Sequence, residues 1–201
     1  SCNVLICNNR EKKSHFLISG ELMEFDYVVV GAGSAGCAVA SRLSQCGNYN
    51  VALIEAGPDD NNPWIHVPVG YFRTMGNPKS DWRYETQPDK GIAGRSIPWP
   101  RGRVMGGSSS TNGLLYVRGQ PQDFDIWSQL GCRGWSWEEV LPFFKRSENW
   151  DGIDETGLRG KEGPLSVQSS RLKRDIVDRW VDAAVTAGYQ RNYDYNGSTQ
   201  E

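Results

Sequence analysis

The chain has 201 residues, 22 Lys and Arg against 24 Asp and Glu, and a formal net charge of −2. That length holds one sizeable domain or a domain and a half. The near-neutral balance, with no basic run interleaved with aromatics, gives no reason to expect a nucleic-acid partner. No apolar run approaches the roughly 20 residues of a membrane span, although peripheral membrane contact is left open.

Residues 1–22 show no clean period, only a polar patch over 8–13 between short apolar pieces. A secretory signal needs a longer apolar core and small residues at a cleavage site. Met23 reads as a native start, with 1–22 a leader or artefact lacking regular structure; a poorly ordered extension is the alternative. The cysteines Cys2, Cys7, Cys37, Cys46 and Cys132 are odd in number. They are spaced for neither a zinc site nor a disulfide framework. No metal is expected. A reducing compartment is, so the chain is placed in the cytoplasm or against a membrane surface.

Tyr27–Val30 is a β-branched and aromatic run that fits a strand buried on both faces. Gly31, Gly33 and Gly36 follow in G-x-G-x-x-G spacing. Gly31 permits the tight turn, Gly33 lets a pyrophosphate approach the backbone, and Gly36 lets the next helix pack against the strand. The helix N-terminus then offers N–H groups and its dipole to that anion. Alone, such spacing is a weak signal, since glycine-rich turns are common, and a generic strand–helix–strand unit is the bland alternative. Here residues 35–46 read as a helix with Cys37, Ala40, Ser41 and Leu43 toward the sheet. Val51–Ile54 then reads as a second buried strand ending on Glu55. That carboxylate lies roughly 20 residues past the last glycine, where a dinucleotide fold places its ribose-binding acid.

After Glu55, Ala56-Gly57-Pro58 opens a loop, and residues 64–95 are irregular, with aromatics among Gly and Pro. So long an irregular stretch is expected to be a functional excursion folding over something, here spanning 57–100. His66 within it reads as structural. The second organising stretch runs from Pro100 to Gly119 and includes Arg101, Arg103, Gly106, Gly107, three serines, Thr111 and Asn112. Its small residues permit close backbone approach, its N–H and hydroxyl groups can serve anionic or carbonyl oxygens, and its arginines bring positive charge. Beyond it, 121–130 reads as a helix carrying Phe124 and Trp127. Ser136-x-x-Glu139 is a capping box, opening a helix that Pro142 should kink or shorten. Residues 164–168 read as a short strand. Residues 175–187 read as an amphipathic helix stopped by Gly188.

With both glycine stretches in hand, the chain resembles the glucose–methanol–choline (GMC) oxidoreductases, and within them the choline dehydrogenase-like members. The carriers are the run from Phe25 to Cys37, Ile-His-Val-Pro-Val-Gly-Tyr-Phe at 65–72, Asp-Trp-Arg-Tyr-Glu-Thr at 81–86 and Gly-Arg-Val-Met-Gly-Gly-Ser-Ser at 102–109. The resemblance implies an α/β fold. A Rossmann-like FAD-binding domain with an incomplete parallel sheet would occupy 23–162, and an α+β substrate domain would begin at 163–201. It implies FAD as cofactor and hydride transfer from an alcohol to flavin N5. Gly31, Gly33, Ser34, Ala35 and Gly36 would contact the pyrophosphate. Glu55, with Ala56 beside it, would hold the adenosine ribose. Arg103, Val104, Gly107, Ser108 and Asn112, Gly113, Leu114 and Leu115 would lie along the flavin. Thr111 departs from the usual pattern and cannot form the histidyl link of some members, so noncovalent FAD is expected.

The family's catalytic histidine and its histidine or asparagine partner are expected beyond Glu201, so no catalytic residue is named. The partner implied is a small-molecule alcohol; the electron acceptor stays undefined. Three other readings stand beside the dehydrogenase: an oxidase of the same family using oxygen, a non-catalytic FAD-binding fragment, and an NAD-dependent dehydrogenase. The 102–112 stretch argues against the last. Two confident parallel strands leave a sheet edge open, so the chain alone is expected to be poorly soluble, weak in FAD binding and inactive.

Overall fold

Parallel pairing at the start of the chain sets the frame for everything that follows. The computed structural model describes residues 3–7, 14–18, 21–171 and 173–200. Strand β4 (Tyr27–Val30) leads through a glycine turn into helix α1 (Ser34–Gln45), and the chain returns as β5 (Val51–Glu55). β4 and β5 are parallel, with Tyr27 opposite Val51 and Val30 opposite Ile54. Their β-branched residues suit a pleated, covered surface. Ala32, Ala40, Val51 and Leu53 form the buried centre, with Val29, Cys37, Leu43 and Met105 packed against it.

Three strands precede this unit: β1 (Asn3–Cys7), β2 (Ser14–Ile18) and β3 (Glu21–Phe25). The leader expected over 1–22 falls partly on residues 1–2, 8–13 and 19–20, which lie outside the described residues. Over the remainder the expectation of no regular structure fails. β1 takes the other edge of β5, antiparallel, giving the sheet order β1-β5-β4, and β2 pairs with β3 as a separate hairpin. The reason is that short apolar runs find a strand edge to satisfy their backbone, which local periodicity does not reveal.

Two details differ from expectation. β4 is not buried on both faces, because Val30 is 82% exposed and Tyr27 41%. Among the described residues β4 pairs along one edge only, and α1 shelters Val29 but not its neighbours. Ser41 of α1 is exposed rather than turned to the sheet. β5, by contrast, is buried at Val51, Ala52, Leu53 and Glu55.

The excursion is less irregular than its composition implies. It holds α2 (Tyr71–Thr74), β6 (Tyr84–Glu85) and β7 (Pro98–Trp99), the two strands pairing antiparallel. The chain divides into two compact units, Ser1–Leu115 and Tyr116–Glu201.

The second unit contains α3 (Pro121–Gln129), α4 (Trp137–Ser147), β8 (Glu148–Trp150), β9 (Leu165–Val167) and α5 (Asp175–Thr186). Parallel β8 and β9 pair Glu148 with Leu165 and Trp150 with Val167, so they straddle the boundary expected after residue 162. Ser136 opens α4 with the expected box, its Oγ donating to Glu139 Oε2 at 2.7 Å. The helix continues past Pro142 to Ser147. Phe124 is the buried ring between α3 and α4, 5.6 Å from both Trp137 and Phe144. α5 ends as expected: Gly188, at φ +102°, donates to Val185, and Tyr189 N–H reaches back to Ala184. Its apolar face stays open, with Ile176 and Trp180 both more than 70% exposed.

Glu148 anchors this unit from below its surface. Its carboxylate accepts from Arg118 Nη2 at 2.5 Å and from Arg159 Nη2 at 2.5 Å, all three side chains being essentially buried. Gly160 N–H adds a bond at 2.9 Å. Arg159 continues to Asp194 at 2.6 Å. Asn196 clips the chain at Tyr116–Arg118, accepting from Arg118 N–H at 2.7 Å and donating to Tyr116 O at 2.9 Å.

Candidate functional site

The turn from β4 into α1 is built by three glycines with three separate jobs. Gly31 adopts φ +93°, a left-handed conformation that favours glycine, and its N–H donates to Ile54 O at 2.7 Å. At Gly36 a side chain is forbidden: a Cβ would stand 1.8 Å from Gly31 O. Gly33 is the reverse case, since a Cβ there would meet nothing within 4 Å among the described residues. Open space therefore lies in front of Gly33, which is the N-cap of α1 and has no side-chain cap. The first N–H groups of a helix have no intrahelical acceptor. Those of Ser34, Ala35 and Gly36, with the helix dipole behind them, suit an anion.

The second glycine stretch lies directly against this turn. Gly106 N–H donates to Ala32 O at 2.8 Å. A Cβ on Gly107, at φ +58°, would come within 2.8 Å of Gly33 Cα. Gly57 closes the other side, where a Cβ would stand 2.1 Å from Arg103 O, and Met105 N–H donates to Pro58 O at 2.9 Å. Val104 and Gly107 are buried, Ser110 Oγ donates to Met105 O at 2.7 Å, and Gly102 N–H donates to Ser108 Oγ at 3.0 Å.

Glu55 lies at the seam. It is 5% exposed, with Oε2 accepting from Ala32 N–H at 2.8 Å and Oε1 from Gly57 N–H at 2.9 Å. The acid read from spacing as a ligand group thus also ties the glycine turn to the loop after β5. Each carboxylate oxygen keeps a further lone pair. Ala56, beside it, is exposed.

The arginines depart from the reading that they bring charge to the glycines. Arg103 sends Nη2 to Pro78 O at 3.1 Å and stacks over Trp82, and Arg101 stacks over Trp99. Both side chains serve the excursion, because the small residues of the loop put backbone rather than side chains against the turn. Asn112, Gly113, Leu114 and Leu115 follow as exposed chain. Asn112 Oδ1 accepts from Leu114 N–H at 2.8 Å and supports that residue's left-handed φ of +60°. His66 is exposed, its Nε2 lying 2.7 Å from Asp60 O.

Sequence reading missed Asp81 and the packing role of Gly57. Asp81 is buried and accepts three backbone N–H bonds, from Gly76, Arg83 and Arg101. Burial raises its pKa, but those N–H groups and the Arg83 charge more than offset this and hold the carboxyl below its ordinary value. Nothing in residue type marks such an acid, since every donor it meets is a backbone N–H.

The profile of the GMC oxidoreductase family matches residues 25–201. The oxygen-dependent choline dehydrogenase of Brucella anthropi is 46% identical over 179 residues, 89% of this chain and 32% of that protein. The enzyme of the same name from Vibrio vulnificus is 44% identical over 180 residues, again 32% of its length. The chain thus spans about a third of the length of the curated relatives it matches. Among solved structures, pyridoxine 4-oxidase from Mesorbium loti superposes with TM-score 0.79 at 37% identity, covering 86% of this chain and 34% of that one. Formate oxidase from Aspergillus oryzae, studied for its FAD modification, superposes with TM-score 0.76 at 30% identity, covering 86% and 32%. With both glycine stretches inside the matched span, this chain belongs to the GMC oxidoreductase family.

Proposed function

We propose that the chain forms the FAD-binding part of an oxidoreductase that takes a hydride from the CH–OH group of a small alcohol. The observation that carries this reading is the closure of Gly107 onto Gly33 in front of the open N-terminus of α1. The turn has room for a phosphate group where a side chain would otherwise stand, and the helix supplies N–H donors to it. FAD, when bound, supplies the hydride acceptor, N5 of its isoalloxazine ring.

In this reading Gly31, Gly33, Ser34, Ala35 and Gly36 hold the pyrophosphate. Glu55 holds the ribose through the lone pairs its two backbone bonds leave free. The backbone of Arg103, Val104, Gly107 and Ser108 and the segment 112–115 line the flavin. Thr111 offers no ring nitrogen for a covalent link, so the cofactor is held noncovalently. The FAD-binding domain would then run over 23–162, and the substrate domain would open at 163–201. The alcohol would be small, as the names of the relatives indicate. Oxygen uptake against dye reduction decides between oxidase and dehydrogenase. No helix among the described residues is long and apolar enough to cross a membrane; a cytoplasmic or membrane-surface location remains the proposal.

The test is Gly33→Val, made in a parent protein that retains flavin on purification. The side chain enters the space in front of the turn, and flavin retention should be lost, read as the disappearance of bound flavin absorbance after purification. Equal FAD content in mutant and parent overturns the reading.

A further inference from the structure

We infer that Asp81 is a positioning residue that holds the glycine loop in the place where Gly107 meets Gly33. As a statement about cofactor binding, this rests on the FAD reading above.

Asp81 is 4% exposed and lies in the excursion, well away in sequence from the loop it holds. Its Oδ2 accepts from Gly76 N–H at 2.6 Å. Its Oδ1 accepts from Arg83 N–H at 2.8 Å and Arg101 N–H at 3.0 Å. Around it, Trp82 N–H donates to Arg101 O at 2.9 Å and Arg103 N–H to Ser80 O at 2.8 Å. Asp81 and Gly102 form an isolated antiparallel bridge. The side chain thus acts as an additional rung in a short ladder between 80–82 and 101–103. It also secures Arg83 at φ +56°, a left-handed backbone that a non-glycine residue resists.

From that ladder the chain has little freedom. Arg103 O is pressed on Gly57, Met105 is bonded to Pro58, Gly106 to Ala32, and Gly107 lies on Gly33. Release of Arg101 loosens the first link in a series of close contacts that ends at the phosphate turn. The chemistry asks for a carboxylate. Three donors converge on two oxygens, and an amide in its place would turn an NH2 group toward at least one N–H. A hydroxyl or methyl would leave buried donors unmade.

The test compares Asp81→Asn with Asp154→Asn, since Asp154 also accepts backbone N–H groups, from Thr156 and Arg159, outside the loop. The first readout is amide hydrogen exchange over residues 101–107 without FAD. Asp81→Asn should speed exchange there, whereas Asp154→Asn should not. The second readout is FAD titration by flavin fluorescence well below the melting midpoint. Asp81→Asn should weaken FAD about tenfold, the effect of one lost charge-assisted hydrogen bond. At a comparable loss of melting temperature, Asp154→Asn should leave affinity unchanged. Asp81→Glu, which keeps the charge, serves as a second variant if Asp81→Asn does not fold. Unchanged exchange at 101–107 overturns the proposal. So does faster exchange with unchanged FAD affinity, which would leave Asp81 a structural residue only. If the parent protein binds no FAD, the FAD reading falls, and the exchange experiment alone decides whether Asp81 holds the loop.

Discussion

Glu55 shows how one residue can carry two duties at one place. Its carboxylate is buried and bonded to Ala32 and Gly57 N–H, so it supports the glycine turn before any ligand arrives. Spacing alone assigned it to a ribose. The two duties separate by experiment. Glu55→Ala should lower the melting temperature of the FAD-free protein, because two buried N–H groups lose their acceptor at about 1–3 kcal/mol. It should also weaken FAD by about one to two orders of magnitude, read by titration of the apoprotein. A change in FAD affinity with no change in the apoprotein melt would assign Glu55 to the ligand alone.

Among the elements, the strand pair β8–β9 depends on a charge cluster rather than on apolar packing. Glu148 lies between Arg118 and Arg159 with almost no solvent contact. Such a cluster is no proof of stability, since well-packed apolar residues can replace one, but removing one partner strands buried charge. Glu148→Ala should therefore cost about 3–5 kcal/mol, measured as a shift in the denaturant midpoint. A loss under 1 kcal/mol would mean that water reaches the two guanidinium groups. The loop at Asp154 tests the same unit through pH. Burial raises the Asp154 pKa, but bonds from Arg159, Thr156 and Gly157 outweigh it and leave the carboxyl below its ordinary value. A depressed carboxyl contributes stability that is complete above the unfolded value near 3.9 and is lost as pH falls through the folded one. Asp81 has the same sign. The melting midpoint should thus drop as pH falls below about 4, and Asp154→Asn should shallow that drop. An identical slope in mutant and parent would remove Asp154 from the account.

For the whole molecule, the open edge of β4 is the feature with consequences. Val30 is 82% exposed and, among the described residues, β4 has a strand partner on one edge only. Unpaired edges with exposed apolar side chains template association. We expect the 201-residue chain to self-associate with rising concentration, and Val30→Lys to reduce this in gel filtration or light scattering. Equal association in both proteins would move the sticky surface elsewhere, the open face of α5 with Ile176 and Trp180 being the next candidate.

Local chemistry carried much of this protein to the reader of its sequence. The strand, the G-x-G-x-x-G turn, α1 and β5 were legible because each depends on a short pattern: β-branched runs, left-handed turns and helical spacing. The Ser136–Glu139 box and the stop at Gly188 were legible for the same reason, and the glycine stretches together with the runs at 65–72 and 81–86 carried the family resemblance. The sequence alone could not bring Gly107 onto Gly33, set Arg101 on Asp81, or close Glu148 between Arg118 and Arg159. These partners lie far apart along the chain, and many of their bonds run to backbone N–H groups that every residue except proline possesses. Residue type leaves no mark on such a bond. Exposure of β4 was likewise beyond reach, because burial depends on which neighbours cover a strand and not on the strand's own residues.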